Sequence, residues 1–255
     1  MSDIVWDFHG KRFVVVGASS GIGRQIAVEL ASAGAEILAI ARSRERLDNL
    51  AAQSSLITTA QLDVTKASCE DWTELLGAYV SEHGKVHGGV YTAGIVGITP
   101  LRGYDEAFAR NIVETSFWGA VHALQGLSKR SVSVSGASFV LFSSVAWKTC
   151  TKGMFAYSAA KAALVAAVQS FAHDLARDKK RINSISPGCV RTEMMHRSER
   201  DTGALLTNII QKHLLGLGEP EQVAGMVMFL LSERANWITG EDFVVDGGYM
   251  RGVWN

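Results

Sequence analysis

The chain has 255 residues, 47% hydrophobic and 20% charged, which leaves ample apolar surface for a sizeable core. Lys plus Arg equals Asp plus Glu at 25 each, and no basic block stands out, so neither nucleic acid nor an anionic membrane is expected as the main partner. Three widely spaced cysteines, Cys69, Cys150 and Cys189, make neither a disulfide framework nor a metal-binding pair. No metal is expected, and reduced thiols in a cytoplasmic protein fit best. The N-terminus is polar with mixed charge and lacks a signal pattern, and the apolar runs fall short of the ~20 residues that span a membrane.

Taken in order, RFVVVG (12–17) reads as a buried strand and GIGRQIAVELASAGA (21–35) as a helix ending at Gly34. EILAIAR (36–42) is a second strand, residues 44–53 a helix, and LITTAQLDV (56–64) a third strand. A helix over about 68–81 precedes a strand ending in glycine, VHGGVYTAG (86–94). Residues 105–131 read as one long helix, 137–144 as a strand, 157–178 as an Ala-rich helix and 181–188 as a strand closing on Pro-Gly. After an irregular amphipathic segment (193–217) come a helix (220–233) and a last strand (240–248). Strands alternating with helices throughout predict an α/β fold: a single doubly wound parallel β-sheet with helices on both faces.

The first strand-to-helix turn reads Gly17-Ala-Ser-Ser-Gly21-Ile-Gly23. Glycines there permit a tight turn, close approach of backbone to a diphosphate and close helix–strand packing, and the helix start favours anionic phosphate. The spacing is GxxxGxG rather than GxGxxG, and glycines serving only a tight turn would leave the same trace. The second strand ends Ala41-Arg42-Ser43, with no carboxylate to meet a ribose 2′-hydroxyl. The Arg42 guanidinium suits a 2′-phosphate, with Ser19 and Ser43 adding hydroxyls, so NADPH is expected over NADH; a solvated loop cation is the plainer alternative.

Tyr157 and Lys161 stand four apart on the Ala-rich helix, where they share a face. A neighbouring ammonium lowers a tyrosine pKa, one route to a general acid that works near neutrality. Alone, such a pair is ordinary surface decoration.

With GASSGIG, the Ser144 to Tyr157-x-x-x-Lys161 set, Pro187-Gly188 and TGEDFVVDGG (239–248) in this order, the chain resembles the short-chain dehydrogenase/reductases. It is most similar to 3-oxoacyl-carrier-protein reductase-like members, and the likeness covers nearly the whole chain. The resemblance implies a single NAD(P)-binding Rossmann-type domain over 1–255 with a substrate lid at about 193–217. It implies reduction of a ketone, possible substrates including a 3-oxoacyl thioester, with oxidation of a secondary alcohol or a largely non-catalytic dinucleotide-binding role as alternatives. Tyr157 would be the general acid, Lys161 would hold the ribose and tune Tyr157, and Ser144, rather than Ser143, would bond the substrate oxygen. Gly17, Ser19, Ser20, Gly21, Ile22 and Gly23 would cradle the diphosphate. Asp63 and Val64 would meet the adenine, Ala93 and Gly94 the adenosine, and Pro187, Gly188, Val190 and Thr192 the nicotinamide.

The chain departs from the family pattern at several positions. Val16 stands where a hydroxyl usually ties the loop down, and Tyr91 and Thr92 replace two asparagines, so that turn needs another brace. The helix asparagine of the family's catalytic tetrad aligns with Ser116; Asn111 is the rival position. Met194, Met195, Leu205, Leu206 and Ile209 would form the lid's apolar underside, or pack on the core or a neighbouring subunit, and Trp147 would wall the pocket. Lys129-Arg130 and Arg177 with Lys179-Lys180 would greet an acyl carrier protein if they are not simply solvated. A homotetramer or homodimer is implied, built on the two long helices and the C-terminal strand, with the tail from Tyr249 contributing.

Overall fold

The structure is a computed structural model and describes residues 4–195 and 210–251. The expected lid therefore lies mostly outside the described residues, as do Leu205, Leu206, Ile209 and the end of the aromatic tail. Among the described residues, seven parallel strands form one sheet in the order β3-β2-β1-β4-β5-β6-β7. They are β1 (Arg12–Val16), β2 (Glu36–Ala41), β3 (Ile57–Gln61), β4 (Val86–Tyr91), β5 (Ser133–Phe142), β6 (Arg181–Pro187) and β7 (Asp242–Val245). This is the Rossmann-type doubly wound sheet. The strand order reverses between β1 and β4, and the crevice outside the carboxyl ends of those strands is where such sheets bind ligands.

The interior strands are apolar on both faces because both faces are covered. In β1, Phe13 and Val15 point into one layer with Ile26, Leu30, Val223 and Val227. Val14 and Val16 point into the other with Trp72, Leu76, Leu124 and Leu164. The first layer is covered by α1 (Gly21–Ser32), α2 (Arg44–Ala51) and α8 (Pro220–Leu231). The second is covered by α3 (Cys69–His83), α5 (Gly119–Leu127) and α7 (Phe155–Ala176).

Helix starts follow local chemistry. Ser43 caps α2, Ser68 and Asp71 form a capping box on α3, and Pro220 opens α8 behind a Glu219–Gln222 box. Helix α7 has the length and mean hydropathy, 1.2, of a membrane span. The apolar runs did not suggest this, because its alanines dilute the polar residues. Its Leu164, Val165 and Val168 are buried, and Leu164 and Val168 pack into the core on the sheet.

The long helix expected over 105–131 is interrupted. Helix α4 (Glu106–Val113) runs into a π-helical turn, Glu114–Trp118, before α5. Gly119 N–H bonds the Glu114 carbonyl five residues back. The Thr115 carbonyl instead accepts the Tyr91 hydroxyl at 2.6 Å, and a Cβ on Gly119 would collide with that hydroxyl. A side chain from β4 thus enters the helical ladder, which accounts for the bulge.

The two basic spots are largely occupied within the chain. Arg130 pairs with Asp178 at 2.6 Å, Lys129 Nζ donates to Thr73 Oγ1, and buried Lys180 donates to the Ser128 carbonyl at 2.6 Å. Arg177 and Lys179 are exposed, as is the Arg130 side chain. A further short helix, α6 (Ala146–Thr149), was not anticipated; it follows the serine pair.

Candidate active site

A cavity of about 480 Å³ opens at the carboxyl ends of β1 and β4. Its lining includes Gly17, Ser19, Ser20, Gly21, Ile22, Gly23, Arg42, Ser43, Val64, Ala93 and Gly94 from the first half of the chain. Ser144, Tyr157, Lys161, Pro187, Gly188, Val190 and Thr192 come from the second half. One hollow therefore gathers most of the expected site residues.

The phosphate-side cradle is made of backbone. Gly17 and Gly21 have φ of 87° and 51°, in the left-handed region that favours glycine. A Cβ on Gly17 would stand 2.5 Å from Thr92 Oγ1, and one on Gly23 would collide with the Gly17 carbonyl and the same hydroxyl. Ser20 sits at the N-cap of α1 without a side-chain cap bond, so the first N–H groups of that helix remain for an anion. These residues fit a dinucleotide diphosphate. The brace that the sequence lacked at Val16 comes from Thr92, whose hydroxyl donates to the Val16 carbonyl at 2.9 Å.

Beyond the glycine loop, Arg42 and Ser43 line the cavity together with Arg46, which the sequence reading missed. Ser43 Oγ accepts from Arg46 N–H at 3.4 Å, so capping α2 brings Arg46 back toward Arg42. Asp63 lies beside the cavity, between two residues of its lining. Its carboxylate accepts both the backbone N–H and the hydroxyl of Thr65, at 3.1 and 2.8 Å. Partial burial raises its pKa, but the Thr65 bonds and the Arg42 and Lys66 charges outweigh this and hold it below the usual carboxylate value. Its neighbours Leu62 and Val64 line the cavity instead.

At the other end, Ser144 Oγ accepts from Ala146 N–H at 3.2 Å and hydrogen-bonds Tyr157. Ser143 also lines the cavity, but its hydroxyl donates to the Lys161 carbonyl at 2.9 Å, so the Tyr157 phenol is bonded by Ser144. The expected lowering of the Tyr157 pKa is reversed. Burial pushes the phenol upward, the Ser144 bond opposes this, and Cys189 adds to the rise. Lys161 does not offset it, because its Nζ lies 5.6 Å from the Tyr157 ring centroid and donates to the Phe142 carbonyl at 2.7 Å. Burial of that ammonium drops its own pKa to about 8.

Ser116 is fully buried and Asn111 is exposed, which separates the two candidates for the helix position. Ser116 is not on the cavity wall, and its Oγ has no hydrogen-bond partner. A Cβ on Gly94 would stand 3.5 Å from Ser116 Oγ and 3.4 Å from Lys161 Nζ, so both groups flank one point. Trp147 corrects another expectation. It is absent from the lining, and its indole N–H donates to Ser186 Oγ and Asp242 Oδ2 at 3.1 and 3.2 Å, tying α6 to the edge of the sheet.

Met194 and Met195 do line the cavity, joined by Thr149, Met154, Cys189, His213 and Tyr249. Thr149, Met154, Cys189, His213 and Tyr249 all escaped the sequence reading as cavity residues: His213 lay in the irregular segment, and Tyr249 was assigned to an intersubunit tail. The order of strands and the gathered Ser, Tyr, Lys and glycine-loop residues define a dinucleotide-dependent oxidoreductase. A family model described as "Enoyl-(Acyl carrier protein) reductase" matches residues 17–250, and the chain belongs to the short-chain dehydrogenase/reductase family, which binds NAD(P)(H).

It is 32% identical to L-xylulose reductase of Caenorhabditis elegans, over 96% of this chain and 97% of that protein. It is 31% identical to 2-keto-3-deoxy-L-fuconate dehydrogenase of Xanthomonas campestris pv. campestris, over 94% and 80%. A solved short-chain type dehydrogenase/reductase from Mycobacterium ulcerans superposes with a TM-score of 0.87 at 30% identity, covering 96% of this chain and 92% of the other. The chain is accordingly an oxidoreductase acting between a secondary alcohol and a ketone.

Proposed function

We propose that this enzyme reduces a small ketone to a secondary alcohol with NADPH. The observation that carries the reading is the convergence of Ser144, Tyr157 and Lys161 on one cavity with the uncapped start of α1. When bound, NADPH supplies hydride to the carbonyl carbon. The Tyr157 hydroxyl gives its proton to the carbonyl oxygen, and Ser144 holds that oxygen in line. A raised phenol pKa suits the reductive direction, because Tyr157 stays protonated at neutral pH. Lys161, with one N–H on the Phe142 carbonyl, keeps two donors for a ribose. Ser116 replaces the family asparagine behind Lys161. Pro187, Gly188, Val190 and Thr192 hold the nicotinamide end, and Val64, Ala93 and Gly94 the adenosine.

Arg42 with Arg46 supports NADPH over NADH, since paired guanidinium groups suit a 2′-phosphate. We place substrate closure in residues 193–217 of one domain over 1–255, and assembly of a homotetramer or homodimer on the α4–α5–α7 face. Trp118 and Phe155 are 45% and 43% exposed there, which supports that face. Three unpaired cysteines support a reducing, cytoplasmic setting. Small hydroxylated ketones and 3-oxoacyl thioesters are the substrate classes to try, the latter because a 3-oxoacyl-[acyl-carrier-protein] reductase FabG of Aggregatibacter actinomycetemcomitans is 29% identical. The test is NADPH consumption over such a panel with Tyr157→Phe as control. Turnover that disappears in the variant is expected; turnover untouched by it would overturn the mechanism.

A further inference from the structure

His213 lies outside every motif that the sequence displayed, yet it is buried against the cavity. Its Nε2 accepts the Cys189 backbone N–H at 2.9 Å. An imidazole whose Nε2 accepts carries its single neutral-ring proton on Nδ1. The ring sits on Gly188 so closely that a Cβ there would stand 2.7 Å from Nε2. On its other side it stacks on Tyr249, with ring centroids 4.7 Å apart and an interplanar angle of 26°. The Tyr249 side chain hydrogen-bonds Thr149, at the end of the short helix after Ser144. Asp246 fixes the backbone beneath Tyr249 by accepting the N–H groups of Gly248 and Met250 at 2.9 and 2.8 Å. One imidazole therefore joins the turn after β6, the segment after β7 and the loop that carries Ser144.

We propose that His213 is a positioning residue for the nicotinamide end of the cofactor, holding the Pro187–Gly188–Cys189 turn through an imidazole that has to stay neutral. The inference rests on reading the cavity as the NADPH site. Protonation would set an imidazolium N–H against the Cys189 N–H, two donors facing each other, and the turn would lose its anchor. The titratable or charged groups around the ring among the described residues are Lys212 on its own turn, Cys189, Asp246 and Tyr249. Cys189 stays a neutral thiol, since burial pushes it up to about 11, and the Asp246 carboxylate is engaged by the two N–H groups named above.

The experiment measures NADPH binding by fluorescence titration, alongside steady-state kinetics, from acidic to mildly alkaline pH. Wild type, His213→Phe and His213→Gln are compared, with thermal melting to verify folding. Phe keeps the stacking ring and removes the acceptor; Gln offers an acceptor that does not titrate. The wild type is expected to lose affinity severalfold once the ring is protonated and Nε2 no longer accepts. His213→Phe is expected to bind about tenfold more weakly than wild type at neutral and mildly alkaline pH, the size of one lost hydrogen bond, and to match it at acidic pH. His213→Gln is expected to recover most of that affinity and to lose the acid limb. A Phe variant that binds as tightly as wild type at neutral pH, or an acid limb that persists in the Gln variant, overturns the proposal. Wild type that binds neither NADPH nor NADH at any pH would instead overturn the cofactor reading on which it stands.

Discussion

The two ends of the cavity are built by different means. The phosphate end is a short continuous stretch, Gly17–Gly23, whose work is done by backbone N–H groups and by the absence of Cβ atoms. The opposite end is assembled from side chains far apart in the chain: Ser144, Thr149, Tyr157, Met194, His213 and Tyr249. Backbone sites constrain residue type locally, so a few glycines at fixed spacing announce them. Side-chain sites depend on which loops the sheet brings together, and nothing local marks them.

The largest expected effect breaks the substrate end alone. Tyr157→Phe should cut kcat for ketone reduction by about 10²–10⁴ while the NADPH dissociation constant, read by fluorescence, changes little. Next, Arg42→Asp acts only on the far end. It should shift the NADPH-to-NADH ratio of kcat/KM toward NADH by about tenfold or more, the scale of a lost charge-assisted bond; an unchanged ratio in kinetics with both cofactors would leave Arg42 a bystander.

A pH profile comes third. Lys161 is charged below about 8 and neutral above it, so its charge-assisted hold on the ribose is present at neutrality and weakens as pH rises. Reductive kcat/KM should hold below pH 8 and fall roughly fivefold over the next one to two units, whereas a profile flat to strongly alkaline pH would detach Lys161 from the chemistry. The smallest effect belongs to Ser116→Ala. Since its Oγ has no protein partner, the variant should fold normally and lose less than about tenfold in kcat; a loss as deep as that of Tyr157→Phe would make Ser116 a full member of the catalytic set.

Most of the fold was legible because its cause is local. Apolar runs such as Phe13–Val16 face covered layers on both sides, and caps such as Ser68 with Asp71 mark helix starts. The π-helical turn was not legible, because its cause, Tyr91, sits on another element. Trp147 was misread for a similar reason: its partner Asp242 lies 95 residues away. The glycine loop was legible from its spacing, and Ser144, Tyr157 and Lys161 from the family resemblance, whereas Arg46, His213 and Tyr249 needed three-dimensional neighbours.

The Tyr91–Thr115 bond has one more consequence. Before it, the helix presents Ala109 and Ile112 to the small cluster with Ala156 and Ala160 on α7. After it, Ala120, Ala123 and Leu124 face the large core with Trp72 and Leu76. In an unbroken α-helix each residue advances about 100°, so one extra residue re-indexes everything downstream. A single phenolic hydroxyl thus acts as a phase shifter, letting one rod mesh with two differently timed partners.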